Sequence, residues 1–321
     1  MKKFFIAIVA LAAAVACSND DIISIDRQTI GFGNPFVENA TRAAIDGSYS
    51  GTKELASFKV WGTVSSTTLS GTQNTVNIFN DVEVFGEIGD AVWGYSDQYI
   101  QYWAPSCNYN FTAIADYTTV TPGANNMPST ITYNDNTTQQ GDLLLATATA
   151  TTDINSTPSQ SPVAFTFIHL LAKAYFTFNN TITTNSRYTF NVKDIKFLDV
   201  KKQGTYNIAN NTWGSQTVEG ELNFGNSESA IANGKSAESN NARTFVPATY
   251  TDSDPLTVQF TVEMLLDGTA ISSVTHTKTV AREFAKNTQY NFIVDLGASN
   301  KITFTVTEID GWDSKVDISI P

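Results

Sequence analysis

Short runs of alternating apolar and polar residues recur along most of the 321-residue chain, separated by glycine, proline, asparagine or serine. Examples are LASFKVWGTV at 55–64, TVNIFNDVEVFG at 75–86 and KITFTVTEI at 301–309. Side chains on a β-strand point to alternate faces, so a period of two predicts strands that bury one face. Long segments with a helical period and many Glu, Lys, Arg and Leu residues are nearly absent. The pattern predicts an all-β sandwich with few short helices.

The composition is that of a folded, acidic protein. Hydrophobic residues make up 41% of the chain and charged residues 16%, which provides apolar material for a core. The formal net charge is −12. Proteins bind nucleic acids through clusters of basic residues, so this charge argues against a nucleic-acid partner. We expect the negative charge to contribute to solubility.

The first twenty residues, MKKFFIAIVALAAAVACSND, have the layout of an export signal. Two lysines precede an apolar run, residues 4–15, that is too short to cross a bilayer comfortably as a helix. Ala16 stands directly before Cys17, an arrangement that resembles the lipobox of bacterial lipoproteins. We therefore expect residues 1–16 to be removed and Cys17 to be acylated. The alternative is an ordinary secretory signal that is cut near Ala16.

A single short strand is predicted upstream of the main body. In QTIGF, residues 28–32, Ile30 and Phe32 occupy alternate positions and share one face. The next stretch, residues 33–53, is rich in glycine, asparagine and serine and contains one arginine, Arg42. An isolated strand needs partners for its backbone groups, so this strand is expected to pair with residues further along the chain.

A polar stretch with two prolines, TTDINSTPSQSP at 151–162, is the best candidate for a domain boundary. After it comes the apolar run VAFTFIHLLAKAYFTF at 163–178. The early apolar residues of this run have odd numbers, and the later ones have even numbers. This change of parity predicts a β-bulge or kink near residues 169–171, and a short helix there is the alternative.

The last residues of the chain show the same alternation. Val316, Ile318 and Ile320 alternate with Lys315, Asp317 and Ser319 in the sequence, which predicts an amphipathic strand at the C-terminus. Such a strand pairs either inside its own sheet or with the open edge of another molecule.

No catalytic, metal-binding or cofactor-binding motif is present in the sequence, so we predict no cofactor and no enzymatic activity. The histidines are His169 and His276, and Cys107 is the one cysteine besides Cys17 of the lipobox. These residues are too few for a His/Cys metal cluster. We expect His169 to be a hydrogen-bonded structural residue, His276 to face outward and Cys107 to be buried. The paired carboxylates of a glycosidase leave no motif, so this class stays open.

An aromatic group between residues 93 and 103 permits two interpretations. It comprises Trp93, Tyr95, Tyr99, Tyr102 and Trp103. Exposed aromatic rings stack on sugars, which would indicate a glycan-binding surface lipoprotein. Aromatic side chains also fill the core and edges of a β-sandwich, and we favour this interpretation.

The order of several motifs along the chain resembles that of the fimbrillins of Bacteroidales, the subunits of type V pili. The resemblance covers nearly the whole chain. It includes the lipobox at Cys17, the early strand with Ile30 and Phe32, ATRAA around Arg42, DQYIQYWAPSCNYNFTAIA, DLLLATA, VAFTFIHLLAKAYFTF and NTQYNFIVDLGASNKITFTVTEIDGW. It implies two tandem β-sandwich domains of transthyretin-like, Greek-key type, here residues 43–160 and 161–321.

The resemblance also implies a route to the cell surface. Lipid on Cys17 would hold the precursor in the outer membrane. An arginine-specific protease would then cut between Arg42 and Ala43 and remove the propeptide, residues 17–42, together with its strand. A donor strand from another pilin subunit would fill the groove that is left, and the resulting fimbria would contribute to cell adhesion.

Under the same resemblance, Val316, Ile318 and Ile320 are candidate donor residues, unless they form the last strand of their own domain. Stalk subunits of the family donate a C-terminal strand, tip subunits lack a usable one, and anchor subunits keep their lipid. The resemblance therefore leaves open the position in the pilus, and the sequence does not identify a surface ligand.

Overall fold

The structure is a computed structural model that describes residues 28–33, 35–37, 55, 57–66, 75–86, 90–115, 119–134, 142–153, 162–184, 187–227, 229–297 and 302–310. Within these ranges strands are the main secondary structure, and turns and short irregular stretches connect them. The strands are β1 (Phe36–Val37), β2 (Ser57–Ser66), β3 (Val76–Phe85), β4 (Gly94–Tyr95), β5 (Cys107–Ala115), β6 (Thr119–Pro122), β7 (Pro128–Asn134), β8 (Leu144–Thr151), β9 (Thr166–His169), β10 (Ala172–Asn180), β11 (Tyr188–Asn207), β12 (Thr212–Gly225), β13 (Ser236–Glu238), β14 (Arg243–Phe245), β15 (Ala248–Thr249), β16 (Leu256–Leu266), β17 (Thr269–Val280), β18 (Glu283–Phe284), β19 (Thr288–Leu296) and β20 (Ile302–Asp310).

The helical content of the described residues consists of two 3-10 turns, Asp97–Tyr99 and Ala124–Asn126. No helix in the described part of the chain has the length and hydropathy needed to span a membrane. The predicted all-β fold with few short helices is confirmed.

The strands form three large sheets and one small one. A seven-stranded sheet has the order β1-β9-β8-β5-β2-β3-β4. A five-stranded sheet has the order β13-β10-β19-β20, with β14 also on β10, and a six-stranded sheet has the order β17-β16-β11-β7-β6, with β12 also on β11. Strands β15 and β18 pair by themselves.

The five- and six-stranded sheets pack face to face around the second core. Phe176 on β10 meets Phe224 on β12 with ring centroids 4.9 Å apart, and Phe292 on β19 lies 5.1 Å from Phe197 on β11. In each pair, one ring comes from the five-stranded sheet and the other from the six-stranded sheet. These contacts therefore define a β-sandwich. The half-buried side chains Ile302, Phe304 and Val306 show that β20 also packs against this core.

The first core lies on one face of the seven-stranded sheet. Its central residues are buried side chains of β2, β3 and β5, among them Phe58, Phe79 and Phe111. Phe165 and Phe167, which follow the polar stretch at 151–162, belong to the same core. Residues beyond that stretch therefore complete the first core.

A third apolar cluster fills the space behind the seven-stranded sheet. Trp61 on β2 and Ile114 on β5 point to this side, whereas their neighbours Val60 and Ala113 point into the first core. Strands that bury both faces need continuous apolar runs, which explains the LLL run at residues 143–145. The other side of this cluster comes from β7, β11 and the connections near Leu171 and Val246.

Strand β11 joins the two halves of the chain. Its first part, up to Phe197, pairs with β16, and its last part, Gln203 to Asn207, pairs with β7. Strand β12 pairs with β11 from Ile195 to Asn207, on the side of β11 opposite to β16 and β7. The hairpin β6–β7, from the first half of the sequence, is therefore part of the main sheet of the second half.

The change of parity in the run 163–178 coincides with a break in the chain's direction. Strand β9 ends at His169 in the seven-stranded sheet, and β10 begins at Ala172 in the five-stranded sheet. Leu170 and Leu171 between them are fully buried in the third cluster. The predicted kink is confirmed, and the alternative of a short helix is wrong.

The two cores share a local motif. APSCNYNF at 104–111 and AKNTQYNF at 285–292 have alanine, tyrosine, asparagine and phenylalanine at matching positions. In each copy the alanine N–H donates a 2.7 Å hydrogen bond to the tyrosine hydroxyl five residues later, Tyr109 or Tyr290. This bond fixes the turn that leads into β5 and into β19. Burial raises the pKa of Tyr109 to about 12.

Candidate functional site: the N-terminal segment

Residues 28–33, called the N-terminal segment below, lie in extended form between two stretches of the first half. On one side the Ile30 N–H donates to the Gln101 carbonyl at 2.9 Å. The Trp103 N–H donates to the Gln28 carbonyl at 3.0 Å, so this side is antiparallel. The predicted strand at Ile30 and Phe32 therefore finds its partners downstream.

The other side of the N-terminal segment pairs with the start of the run at 163. The Val163 N–H donates to the Gly31 carbonyl at 2.8 Å, and the Gly33 N–H donates to the Val163 carbonyl at 2.9 Å. This side is parallel, and it continues as the parallel pair of β1 with β9. The segment thus has backbone partners on both sides, through isolated β-bridges, as an internal strand would.

Phe32 occupies the centre of the first core. Its ring is fully buried and stacks on Phe165 with centroids 5.7 Å apart and an angle of 17° between the planes. Four further rings lie within 6.4 Å of it, those of Phe58, Phe79, Tyr95 and Phe111. Ile30 is also buried in this core. Alternation correctly predicted that both side chains share one face.

Tyr95 contacts the N-terminal segment through both its hydroxyl and its ring. Its hydroxyl donates a 2.7 Å hydrogen bond to the Ile30 carbonyl, and its ring lies 5.7 Å from that of Phe32. Burial raises the pKa of the Tyr95 phenol, so the hydroxyl stays a donor over the physiological range. One residue thus combines a polar and an apolar contact to the same segment.

The aromatic group at 93–103 divides into two sets. Trp93 and Trp103 are buried in the first core, as the core interpretation expects, and Trp93 stacks on Phe58 at 5.8 Å. Tyr99 and Tyr102 are exposed. Because the two tryptophans are inaccessible, they do not form a sugar-stacking surface.

The remaining candidate residues have structural surroundings. His169 is buried and lies 2.8 Å from an Asp142 oxygen through Nδ1, which confirms its expected hydrogen-bonded role. His276 faces Phe260, with ring centroids 5.7 Å apart, so the expectation of an outward position is wrong. Burial and the charge of Lys278 lower its pKa.

Cys107 is half-buried and packs against the edge of the first core, so it is less buried than expected. Its thiol lies 3.4 Å from the Pro105 carbonyl, and burial raises its pKa. The described residues contain no cluster of three or more His, Cys, Asp or Glu side chains arranged to hold a metal.

Several predicted site residues lie outside the described ranges. They are the lipidation site Cys17, the cleavage pair Arg42 and Ala43, and the candidate donor residues Val316, Ile318 and Ile320. Sequence reasoning named Tyr95 within the aromatic group but missed its hydrogen bond to the N-terminal segment, and it missed Asp142 altogether. Tyr95 differs from the other aromatic residues nearby by the partner of its hydroxyl, which sequence does not reveal. Asp142 directly precedes the LLL run, and because this carboxylate is buried it needs a partner, which His169 supplies.

Three solved structures share the fold. The structure of a fimbrial protein from Bacteroides vulgatus is 18% identical, with a TM-score of 0.60, and the match covers 89% of this chain and 100% of that one. A proposed cell adhesion protein from Bacteroides ovatus is 16% identical (TM-score 0.54; 90% and 99% covered). A second, from Bacteroides uniformis, is 14% identical (TM-score 0.50; 88% and 98% covered). Identities this low indicate a shared fold.

No curated protein matches this chain. The sequence does match the family model described as fimbrillin-like, over residues 41–312. This match includes strands β2 to β20 and leaves out the N-terminal segment. The chain therefore belongs to the fimbrillin-like family.

Proposed function

We propose that this chain is a structural subunit of a type V pilus, assembled by strand exchange and contributing to cell adhesion. In this proposal the leader, residues 1–16, is removed and Cys17 is acylated, so the precursor is held at the outer membrane. An arginine-specific protease then cuts between Arg42 and Ala43, and the mature subunit enters a cell-surface fimbria. Its partners are other pilin subunits.

The observation that carries the proposal is the double pairing of the N-terminal segment. This segment precedes Arg42 in sequence, so a cut there separates it covalently from the fold it completes. Its loss would uncover the pocket around Phe32 and leave backbone groups of Gln101, Trp103 and Val163 without partners. Exposed apolar surface and unpaired backbone groups are both unfavourable. An added strand covers the apolar surface and pairs with the backbone groups.

The position of the subunit within the pilus follows from its mature N-terminus and its C-terminus. A stalk subunit begins at Ala43 and donates a C-terminal strand, for which Val316, Ile318 and Ile320 supply the apolar face. A tip subunit also begins at Ala43 but donates no strand. An anchor subunit keeps acylated Cys17.

The test is an Arg42→Ala substitution in the native host. We expect the variant to fold, stay membrane-bound and fail to assemble, because the N-terminal segment keeps its place. Arg27→Ala is the matched control, since a cut at Arg27 would leave the segment attached to the fold. Electron microscopy of surface fibres and mass spectrometry of the subunit N-terminus provide the measurements.

Normal pili from the Arg42→Ala variant would contradict the proposal. Pili whose wild-type subunits still begin at acylated Cys17 would contradict cleavage-driven assembly and would identify the chain as an anchor subunit.

A further inference from the structure

Two buried hydrogen-bond donors beside the N-terminal segment have no acceptor. The indole N–H groups of Trp93 and Trp103 are both inaccessible, and neither meets an acceptor within the part of the chain that the structure describes. Buried donors without partners are uncommon in native proteins, and each one disfavours the state that contains it. The N-terminal segment is therefore an incomplete chemical match to the groove that holds it.

Both tryptophans flank the segment directly. Trp93 lies opposite Phe32 and donates its backbone N–H to the Phe32 carbonyl at 2.7 Å. Thr29 lies opposite Tyr102 in the antiparallel pair, so Trp103 lies opposite Gln28. A side chain at the Gln28 position is thus the neighbour of Trp103 across the pair. An occupant with a hydroxyl side chain at this position would present an acceptor on the side of the pair that carries the Trp103 indole.

We propose, on the basis of the proposed function, that residues 314–320 of a second copy of this chain complete the groove in one register. The incoming strand runs in the same direction as the N-terminal segment, and the Ser314 hydroxyl accepts a hydrogen bond from the Trp103 indole. In this register Val316 takes the Ile30 position and Ile318 takes the Phe32 position.

The pattern of side chains selects the direction. Ser314, Val316 and Ile318 repeat the order of a polar residue followed by two apolar ones in Gln28, Ile30 and Phe32. The opposite direction would place Ile320 at the position of exposed Gln28 and would move Ser314 beyond Phe32, away from Trp103. That arrangement exposes an apolar side chain and leaves the indole without an acceptor.

The glycines of the N-terminal segment leave room for the incoming strand. A Cβ atom at Gly31 would lie 3.4 Å from Val92 Cγ1, and one at Gly33 would lie 3.7 Å from the Val163 carbonyl oxygen. These are ordinary contact distances, so the Cβ atoms of Asp317 and Ser319 would have room at these two positions. Ile318 is smaller than Phe32 and fills less of the aromatic pocket. The register therefore predicts that a larger side chain at 318 improves binding.

The test measures binding of synthetic peptides to the full chain after cleavage at Arg42, at concentrations where the cut protein is monomeric. The probe is a labelled peptide of residues 312–321, and the matched control peptide carries Ser314→Ala. We expect the control to bind about fivefold to tenfold more weakly, as is typical for loss of one hydrogen bond to a buried donor. An Ile318→Phe peptide should bind more tightly and a Val316→Phe peptide more weakly. The uncut Arg42→Ala chain should bind none of them.

A Trp103→Phe chain completes a double-mutant cycle with the Ser314→Ala peptide. This chain lacks the indole donor, so it should bind the unsubstituted peptide and the Ser314→Ala peptide equally. Circular dichroism checks that this variant folds. An independent measurement uses the wild-type chain: the Trp103 indole N–H resonance should move downfield with the unsubstituted peptide and not with the Ser314→Ala peptide.

The outcomes separate the two proposals. Equal binding of the unsubstituted and Ser314→Ala peptides to the wild-type chain, with an unchanged indole resonance, would overturn the inferred register and leave strand exchange intact. Failure of the cut chain to bind any extended peptide would contradict the proposed function itself.

Discussion

Phe32 connects the N-terminal segment to the stability of the whole first half. Its ring contacts five other aromatic rings and is fully buried. We expect Phe32→Ala to lower the free energy of unfolding of the uncut precursor by about 3–5 kcal/mol, the usual range for removing a buried phenyl ring. Urea unfolding in an Arg42→Ala background, which keeps the segment attached, measures the change.

The control for this prediction is Thr29→Ala. Thr29 belongs to the same segment but is exposed, so its substitution should change stability by about 0.5 kcal/mol or less. Equal effects of the two substitutions would contradict a central role for Phe32 in the core.

For individual residues, the sequence pattern predicted the correct parity but not the depth of each aromatic side chain. Ile30 and Phe32 were placed on one face because strand side chains alternate. The division of the 93–103 group into buried Trp93 and exposed Tyr102 depends on which face of that stretch meets the core. That face is set by pairing with the N-terminal segment, some seventy residues away in sequence, and a local pattern contains no record of such a partner.

Among the secondary-structure elements, the shared tyrosine motif makes a matched pair of predictions. Tyr109 and Tyr290 each accept a hydrogen bond from a backbone N–H five residues earlier. We expect Tyr109→Phe and Tyr290→Phe each to reduce the free energy of unfolding by about 1–2 kcal/mol, because each leaves a backbone donor without this acceptor. Equilibrium denaturation of the two single variants measures both values.

Tyr102→Phe provides the control. Tyr102 is exposed and lies just before the turn that the Ala104–Tyr109 hydrogen bond closes. A loss at Tyr109 with no loss at Tyr290 would show that the motif stabilises one half only. The repeat is visible in the sequence as the paired YNF triplets, so a search for internal similarity would have found it.

Most strands were predictable because alternation is a local property. The break between β9 and β10 was equally visible, since a change of parity cannot be accommodated in a regular strand. The sharing of β11 between β16 and β7 was not predictable, because it rests on pairings between residues up to about eighty positions apart in sequence.

Across the full fold, β11 and the third cluster couple the two halves. Leu171 is fully buried in this cluster, between the seven-stranded sheet and the end of β11. We expect Leu171→Ala to lower the free energy of unfolding by about 2–5 kcal/mol. We also expect the described fold to unfold in a single transition, with coincident curves from circular dichroism and tryptophan fluorescence.

Ile271→Ala is the control for this prediction, since Ile271 on β17 is 52% exposed. Its substitution should leave the midpoint nearly unchanged. Two separate transitions, of which Leu171→Ala shifts one, would show that the halves unfold independently.

The length of β11 has a mechanical consequence. At about 3.3 Å per residue, its 20 residues span roughly 65 Å, with β16 paired near one end and β7 near the other. A tensile load between the two halves, directed along this strand, acts in shear on both ladders. In that geometry the hydrogen bonds of a ladder bear the force together instead of opening one after another. Strand β11 would then carry the load between the two halves, and the subunit would resist stretching without any covalent cross-link.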